Sequence, residues 1–184
     1  NAGSACDRSY YAQLFAHAGY DYIVVEYAGY SNDPRSPSHE LTKQDARNVI
    51  DFLAENEVTD ISLVGESLGA GVASYHTSLA PPEKLLLISP FTDLQAAARE
   101  IYWFYPTRLL VDNAFDNVNN LRSYQGRVTL LHGAEDNLIP ARFSEELYNS
   151  LHTQKELVLI EGAGHNDLLF NDATLEAINT FLSN

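Results

Sequence analysis

The stretch LVGESLGAG at residues 63–71 contains the pattern Gly-x-Ser-x-Gly directly after an apolar run that begins at Ile61. A serine in this pattern sits at the tip of a tight strand-to-helix turn, and small flanking residues accommodate its strained backbone. The turn exposes the Ser67 hydroxyl and offers the Leu68 amide to a developing oxyanion. The pattern predicts a nucleophile. Because short patterns also occur by chance, a Gly-rich turn that only packs a helix on a strand is the alternative interpretation.

Composition restricts the possible partners. The chain has 184 residues with 45% hydrophobic and 20% charged content, which fits a single globular domain over residues 1–184. A net charge of -14 with only 11 Lys and Arg argues against nucleic acid and anionic membrane surfaces as partners. No apolar run reaches the roughly 18 residues of a spanning helix. No Cys/His cluster has zinc spacing, so we expect no metal and no cofactor, and the compartment stays open.

Strand and helix patterns alternate along the chain. Such alternation predicts an α/β fold with a doubly wound, mainly parallel sheet. The predicted helices begin near Asp7, Ala46, Leu68, Pro140 and Ala173. The predicted strands are Tyr22–Tyr27, Ile61–Val64, Lys84–Ser89, Val128–His132 and Glu156–Ile160.

Residues 90–126 keep neither the helical nor the strand period cleanly, and Pro, Asn and Asp divide them into short pieces. An insertion of this kind, at about 92–124, predicts a small cap. Its aromatic residues Tyr102, Trp103 and Phe104 are as consistent with the wall of an acyl pocket as with packing inside the cap. Tyr27, on a strand-end loop, is a further candidate for the pocket.

A base and an orienting acid follow later strands, at the sheet edge where reactive groups collect in such folds. Asp136 lies in the loop after the fourth predicted strand, and His165 lies in the Gly-rich sequence EGAGH after the fifth. The order Ser67, Asp136, His165 matches that of a serine-acid-histidine triad. Asp93, after the third strand, is the alternative acid. The other histidines lack the combination of strand end, flanking glycines and order.

These motifs together resemble the alpha/beta-hydrolase superfamily along nearly the whole chain, from NAGS at residues 1–4 through VEYAGY at 25–30, the Gly-x-Ser-x-Gly turn, SPF at 89–91, and the acid and histidine loops. The likeness is greatest to compact serine hydrolases of the acyl-protein thioesterase-like and serine-aminopeptidase-like branch. It implies hydrolysis of carboxylic esters or thioesters, in small-molecule or acylated substrates, through an acyl-enzyme on Ser67. A peptidase or amidase with the same triad is the alternative, and a non-catalytic binding module is a weaker one.

The chain departs from the family pattern at its start, where NAGS lacks the preceding His-Gly pair and the first strands. The resemblance implies a strand between Tyr22–Tyr27 and Ile61–Val64. We therefore expect an upstream segment to complete the sheet and to anchor Asn1, whose amide is nominated as the second oxyanion donor.

Overall fold

The computed structural model describes residues 9–102, 104 and 114–183. From Ser62 onward, strands alternate with helical segments, as the sequence predicts. A 3₁₀ turn at Leu168–Phe170 precedes the last helix. The elements in order are α1 (Ser9–His17), α2 (His39–Glu55), β1 (Ser62–Glu66), α3 (Leu68–Leu79), β2 (Lys84–Ile88), α4 (Leu94–Ile101), α5 (Asn117–Asn120), β3 (Arg127–Gly133), α6 (Arg142–Ser150), β4 (Lys155–Ile160) and α7 (Asp172–Ser183).

Four parallel strands form the sheet in the order β1-β2-β3-β4. The register places Val64 beside Leu86 and Leu86 beside Thr129. All five residues of β2 are buried, because this strand has a neighbour on each edge and helices on both faces. The prediction of a parallel α/β sheet is confirmed. No helix in the described part of the chain is both long and apolar enough to cross a membrane.

Alternate side chains of β2 enter different cores, because successive residues of a strand point to opposite faces. Leu86 and Ile88 pack with Phe181 of α7 on one face. Leu85 and Leu87 pack on the other face against a cluster from α3, β3 and α6. A third cluster joins α2, α3 and α4 with the acid loop; its buried members are Ala46, Val72, Phe91, Ala97, Ala114, Phe115, Ile139 and Phe143.

The predicted strand at Tyr22–Tyr27 is wrong, because residues 21–27 carry no strand in this structure. A strand needs a neighbour to bond its amides and carbonyls, and β1 pairs only with β2 among the described residues. The apolar side chains of Tyr22 and Ile23 are 49% and 55% exposed. A groove of about 310 Å³ lies between residues 23–26 and α2. The expected additional strand beside β1 stays a prediction.

Two helices begin where the sequence patterns do not place them. Helix α2 begins at His39 rather than near Ala46, since the Ser38 hydroxyl accepts a hydrogen bond from the Leu41 amide at 3.2 Å and caps it. Helix α4 lies inside the segment predicted to lack a regular period. Asp93 caps it by accepting the Ala96 amide at 2.8 Å. The predicted cap at 92–124 therefore contains helix, and its existence as a separate unit stays a prediction.

Removing buried volume from β2 should destabilise the whole sheet. We expect Leu87→Ala, at a side chain with no exposed area, to lower the free energy of unfolding by about 2–5 kcal/mol. Leu79→Ala is the matched control, because Leu79 is 51% exposed at the end of α3 and should change stability by about 0.5 kcal/mol or less. Urea unfolding of both variants checks the prediction. Equal losses would contradict the assignment of β2 to the centre of the core.

Candidate active site

The turn between β1 and α3 places Ser67 in a strained conformation. Its backbone has φ 55° and ψ -117°, in the left-handed region that non-glycine residues rarely adopt. The Ser67 amide donates to the carbonyl of Ile88 at 2.9 Å, and the Ser67 carbonyl accepts from Ala70 at 2.9 Å. The strained residue is therefore held by β2 on one side and by the first turn of α3 on the other.

Gly65 is required at this turn, whereas Gly69 is less constrained than the sequence suggests. A Cβ atom on Gly65 would lie 2.4 Å from the Gly69 carbonyl oxygen and 2.8 Å from the Cα of Ala70. The same atom on Gly69 would meet nothing closer than the Tyr27 hydroxyl, at 3.6 Å. Gly65 thus lets α3 lie directly on β1, while position 69 faces Tyr27 across ordinary contact distance.

The acid and histidine loops lie against each other at the ends of β3 and β4. A Cβ atom on Gly133 would lie 2.4 Å from the Ala163 carbonyl oxygen, so only glycine permits this approach. The Glu135 amide then donates to the same Ala163 carbonyl at 3.0 Å. Asp167 accepts from the Gly164 amide at 2.6 Å and shapes the turn that carries His165. Backbone contacts thereby hold Asp136 and His165 on adjoining loops.

The structure brings the three predicted residues into one hydrogen-bonded chain. The Nδ1 atom of His165 lies 2.6 Å from Oδ2 of Asp136, and its Nε2 atom lies 3.1 Å from Oγ of Ser67. Because a carboxylate oxygen only accepts, Nδ1 carries the proton of a neutral imidazole. Nε2 is then an acceptor that faces the serine hydroxyl.

Asp136 is fully buried yet ionised. Burial opposes its charge, but hydrogen bonds from His132, His165 and the Ile139 amide outweigh that cost and hold the pKa of Asp136 well below its ordinary range. Its Oδ1 atom accepts the amides of Leu138 and Ile139 at 2.9 and 2.8 Å. The carboxylate is fixed from both oxygens.

Asp93, the alternative orienting acid, has a structural role. Asp93 caps α4 and forms an isolated bridge with Asp116, which is the ordinary role of a loop aspartate. Of the other histidines, His76 is buried within α3, and His17 bonds the carbonyl of Gln13 on α1. The contacts of these residues do not compete with the chain formed by Ser67, His165 and Asp136.

The remaining predicted site residues are those of the oxyanion hole and the substrate pocket. Leu68 is the first residue of α3, where an amide is free of the helix's own bonding. Tyr27 is half-buried beside the turn, and burial, with Asp45 and Tyr30 nearby, raises its pKa to about 12. Tyr102 and Phe104 are 50% and 61% exposed. Asn1 and Trp103 lie outside the described residues, so their roles stay predictions.

Sequence reasoning missed a histidine that contacts the acid and a serine that contacts this histidine. His132, at the end of β3, has its Nε2 atom 3.3 Å from Oδ2 of Asp136. Its Nδ1 atom lies 2.7 Å from the hydroxyl of Ser144 on α6. The sequence signal that could have predicted these contacts is a histidine at the end of an apolar strand. A buried imidazole needs hydrogen-bond partners.

Within residues 9–102, 104 and 114–183, no group of three or more His, Cys, Asp or Glu side chains is placed to hold a metal ion. The Asp136 carboxylate is instead satisfied by imidazoles and backbone amides. What the site can do chemically is move a proton between Ser67 and His165 while Asp136 stabilises the charged imidazole.

Comparison with known sequences identifies relatives over most of the chain. Residues 2–116 match the sequence model of the Alpha/beta hydrolase family. An uncharacterised protein of Mycobacterium tuberculosis is 34% identical over 189 residues, which cover 98% of this chain and 67% of that protein. A lysophosphatidylserine lipase of Gallus gallus is 28% identical and covers 78% of this chain, but the match spans only 42% of the lipase.

Comparison with solved structures supports the fold alone, because sequence identity is low. A monoacylglycerol lipase from Paleococcus ferrophilus superposes with a TM-score of 0.76 at 18% identity, covering 99% of this chain and 91% of the lipase. An esterase from Exiguobacterium antarcticum also gives 0.76, at 16% identity, covering 98% of this chain and 88% of the esterase. The described sheet thus matches the architecture of these enzymes.

The lowered pKa of Asp136 predicts how stability depends on pH. An aspartate has an ordinary pKa of about 3.9 when unfolded, so at low pH the unfolded chain binds a proton that the folded chain does not, and stability falls. We expect Asp136→Asn to destabilise the protein at pH 7 and the difference from the native sequence to shrink below about pH 4. Exposed Asp51 provides the control, as Asp51→Asn should leave the curves nearly unchanged. Urea unfolding across pH measures this, and a difference that stays constant down to pH 3 would contradict it.

Proposed function

Because this chain belongs to the alpha/beta hydrolase family, we propose that it is a serine hydrolase that cleaves carboxylic esters or thioesters through an acyl-enzyme on Ser67. One observation carries the proposal: His165 bridges Ser67 Oγ at 3.1 Å and Asp136 Oδ2 at 2.6 Å. A nucleophile, a base and an acid that orients the base stand within hydrogen-bonding distance.

In the proposed acylation, Ser67 Oγ bonds to the substrate's carbonyl carbon while its proton passes to Nε2 of His165. Asp136 stabilises the resulting imidazolium and keeps Nδ1 protonated. When the tetrahedral intermediate collapses, the bond to the leaving alcohol or thiol breaks. His165 returns the proton to that leaving group, and the acyl group stays on Ser67.

Deacylation repeats these steps with water. His165 accepts a proton from water as its oxygen bonds to the acyl carbon, and the bond to Ser67 Oγ then breaks as that oxygen regains its proton. The carbonyl oxygen becomes negative in both halves. The Leu68 amide, at the positive end of α3, would stabilise it, and we nominate the amide of Asn1 as the second donor.

Apolar residues beside the turn favour an acyl group as the part of the substrate that is bound. Tyr27 and Leu68 pack with Leu94, Ile139 and Phe143 in the third core cluster. The likeness of the sequence to a lysophosphatidylserine lipase favours ester cleavage over amide cleavage. The aromatic residues at 102–104 are proposed to extend this surface towards the acyl chain, with short to medium chains preferred.

Loss of the nucleophile should abolish turnover without harming the fold. We expect Ser67→Ala to lower kcat on a p-nitrophenyl ester by about 10⁴- to 10⁶-fold. Ser78→Ala is a matched control, since Ser78 is an exposed serine on α3 that bonds only the Tyr75 carbonyl in the described hydrogen bonds. Labelling by a fluorophosphonate should be lost in the first variant and kept in the second. Activity above a few per cent in Ser67→Ala would refute the mechanism.

The two candidate acids give opposite predictions. Asp136→Asn should lower kcat by about 10³- to 10⁴-fold, because the amide cannot hold the required imidazole tautomer or stabilise its cation. Asp93→Asn, at the cap of α4, should leave kcat within about threefold and change stability by only about 0.5 kcal/mol or less, because asparagine caps a helix about as well as aspartate does. Steady-state kinetics with urea unfolding distinguishes them. The reverse order of kcat values would assign the acid to the loop after β2.

A further inference from the structure

The imidazole of His132 is buried beside the acid, yet the proposed proton transfers do not use it. It has no exposed area at the end of β3. Its Nε2 atom lies 2.7 Å from the Ile139 carbonyl oxygen and 3.3 Å from Oδ2 of Asp136. The second contact is with the same carboxylate oxygen that accepts from His165.

The contacts of His132 fix where its proton lies. Both groups that face Nε2 are acceptors, so Nε2 must carry hydrogen. The Nδ1 atom faces the Ser144 hydroxyl at 2.7 Å. In a neutral imidazole that atom accepts, and Ser144, which is itself fully buried, donates. One assignment therefore satisfies both ring nitrogens.

These contacts close a ring around the acid loop. His132 donates to the carbonyl of Ile139, and the amide of Ile139 donates to Oδ1 of Asp136 at 2.8 Å. The other carboxylate oxygen lies against His132. Residues 136–139 are thus tied at both ends to one imidazole, which α6 holds through Ser144.

We propose that His132, held by Ser144, is a positioning residue that keeps the Asp136 carboxylate aimed at Nδ1 of His165. The inference rests on the proposed function, since it assigns a second histidine to the same reaction. Without the Nε2 hydrogen, the loop would lose its tie to β3, and Asp136 would move relative to His165. A displacement of about 1 Å at a catalytic group can cost about 100-fold in rate.

Two substitutions of His132 separate the contacts made by its Nε2 atom from the contact made by its Nδ1 atom. Glutamine places its amide nitrogen near the position of Nε2, so His132→Gln keeps a donor towards Ile139 and Asp136. Asparagine reaches only about as far as Nδ1, so His132→Asn keeps a partner for Ser144 and loses that donor. We expect kcat to fall about 100-fold in His132→Asn and to recover at least about tenfold in His132→Gln.

The matched control is His76→Asn. His76 is also buried, but its Nε2 atom has no hydrogen-bond partner in the described structure, and none of the described side-chain hydrogen bonds joins this residue of α3 to the acid loop. This variant should lose stability while keeping kcat within about threefold of the native value. Rates are normalised to the fraction of protein that binds a fluorophosphonate, so misfolded protein does not count.

The pH profile distinguishes positioning from support of the fold. The ionisable side chains in contact with Asp136 among the described residues are His132 on β3 and His165 on the loop after β4, and the adjacent Glu135 is exposed. With Asp136 misaligned, the cationic form of His165 loses stabilisation. The acid-side midpoint of kcat/KM should therefore move to lower pH in His132→Asn, with KM within about threefold. A role in folding alone would leave the midpoint unmoved.

Proton NMR gives a readout that does not need turnover. The low-field resonance of the hydrogen between His165 and Asp136, assigned by its absence in His165→Ala, should shift or broaden in His132→Asn but not in His76→Asn. An unchanged resonance with normalised kcat within threefold would overturn the inference. If Ser67→Ala abolishes activity while His132→Asn retains it, only the inference fails; if the native protein neither hydrolyses esters nor labels, the proposed function fails.

Discussion

The close approach of α3 to β1 at Gly65 is the constraint on which the site depends. A side chain on Gly65 would not fit against the backbone of Gly69 and Ala70. The chain turns sharply there, and Ser67 takes a left-handed conformation. The amide of Ser67 is meanwhile bonded to Ile88 of the neighbouring strand. The buried sheet supplies the packing that holds this strain, and the serine hydroxyl is fixed as a result.

The acid side of the site depends on a second close approach, at Gly133. It lets the loops after β3 and β4 share backbone hydrogen bonds, so main-chain contacts hold the loop of Asp136 beside the loop of His165. A buried carboxylate is costly unless it is well bonded. Here imidazoles and amides occupy both oxygens, which keeps Asp136 charged and ready to stabilise an imidazolium.

Sequence patterns predicted the sheet and the three central site residues because each left a local signal. Buried parallel strands are continuous apolar runs, and the turn that carries Ser67 is marked by its flanking glycines. The helix that follows Asp93 also had a signal, in the apolar residues Leu94 and Ala97, which the prolines at 90 and 106 obscured. Contacts made through space left no such signal. Nothing in the spacing of His132 and Ser144 says that they meet, and the apolar run at Tyr22–Tyr27 indicates burial without saying whether a neighbouring strand is present.

The acyl-enzyme is the central claim, and it can be trapped. A p-nitrophenyl ester is mixed with the protein, quenched in acid during turnover, and the digested protein is analysed by mass spectrometry. The account predicts an acyl group on the peptide that contains Ser67, at no more than one per chain, and a longer-lived adduct in a His165→Ala variant that has been acylated with a reactive reagent, because deacylation then lacks its base. Turnover with no adduct, or an adduct on another residue, would contradict it.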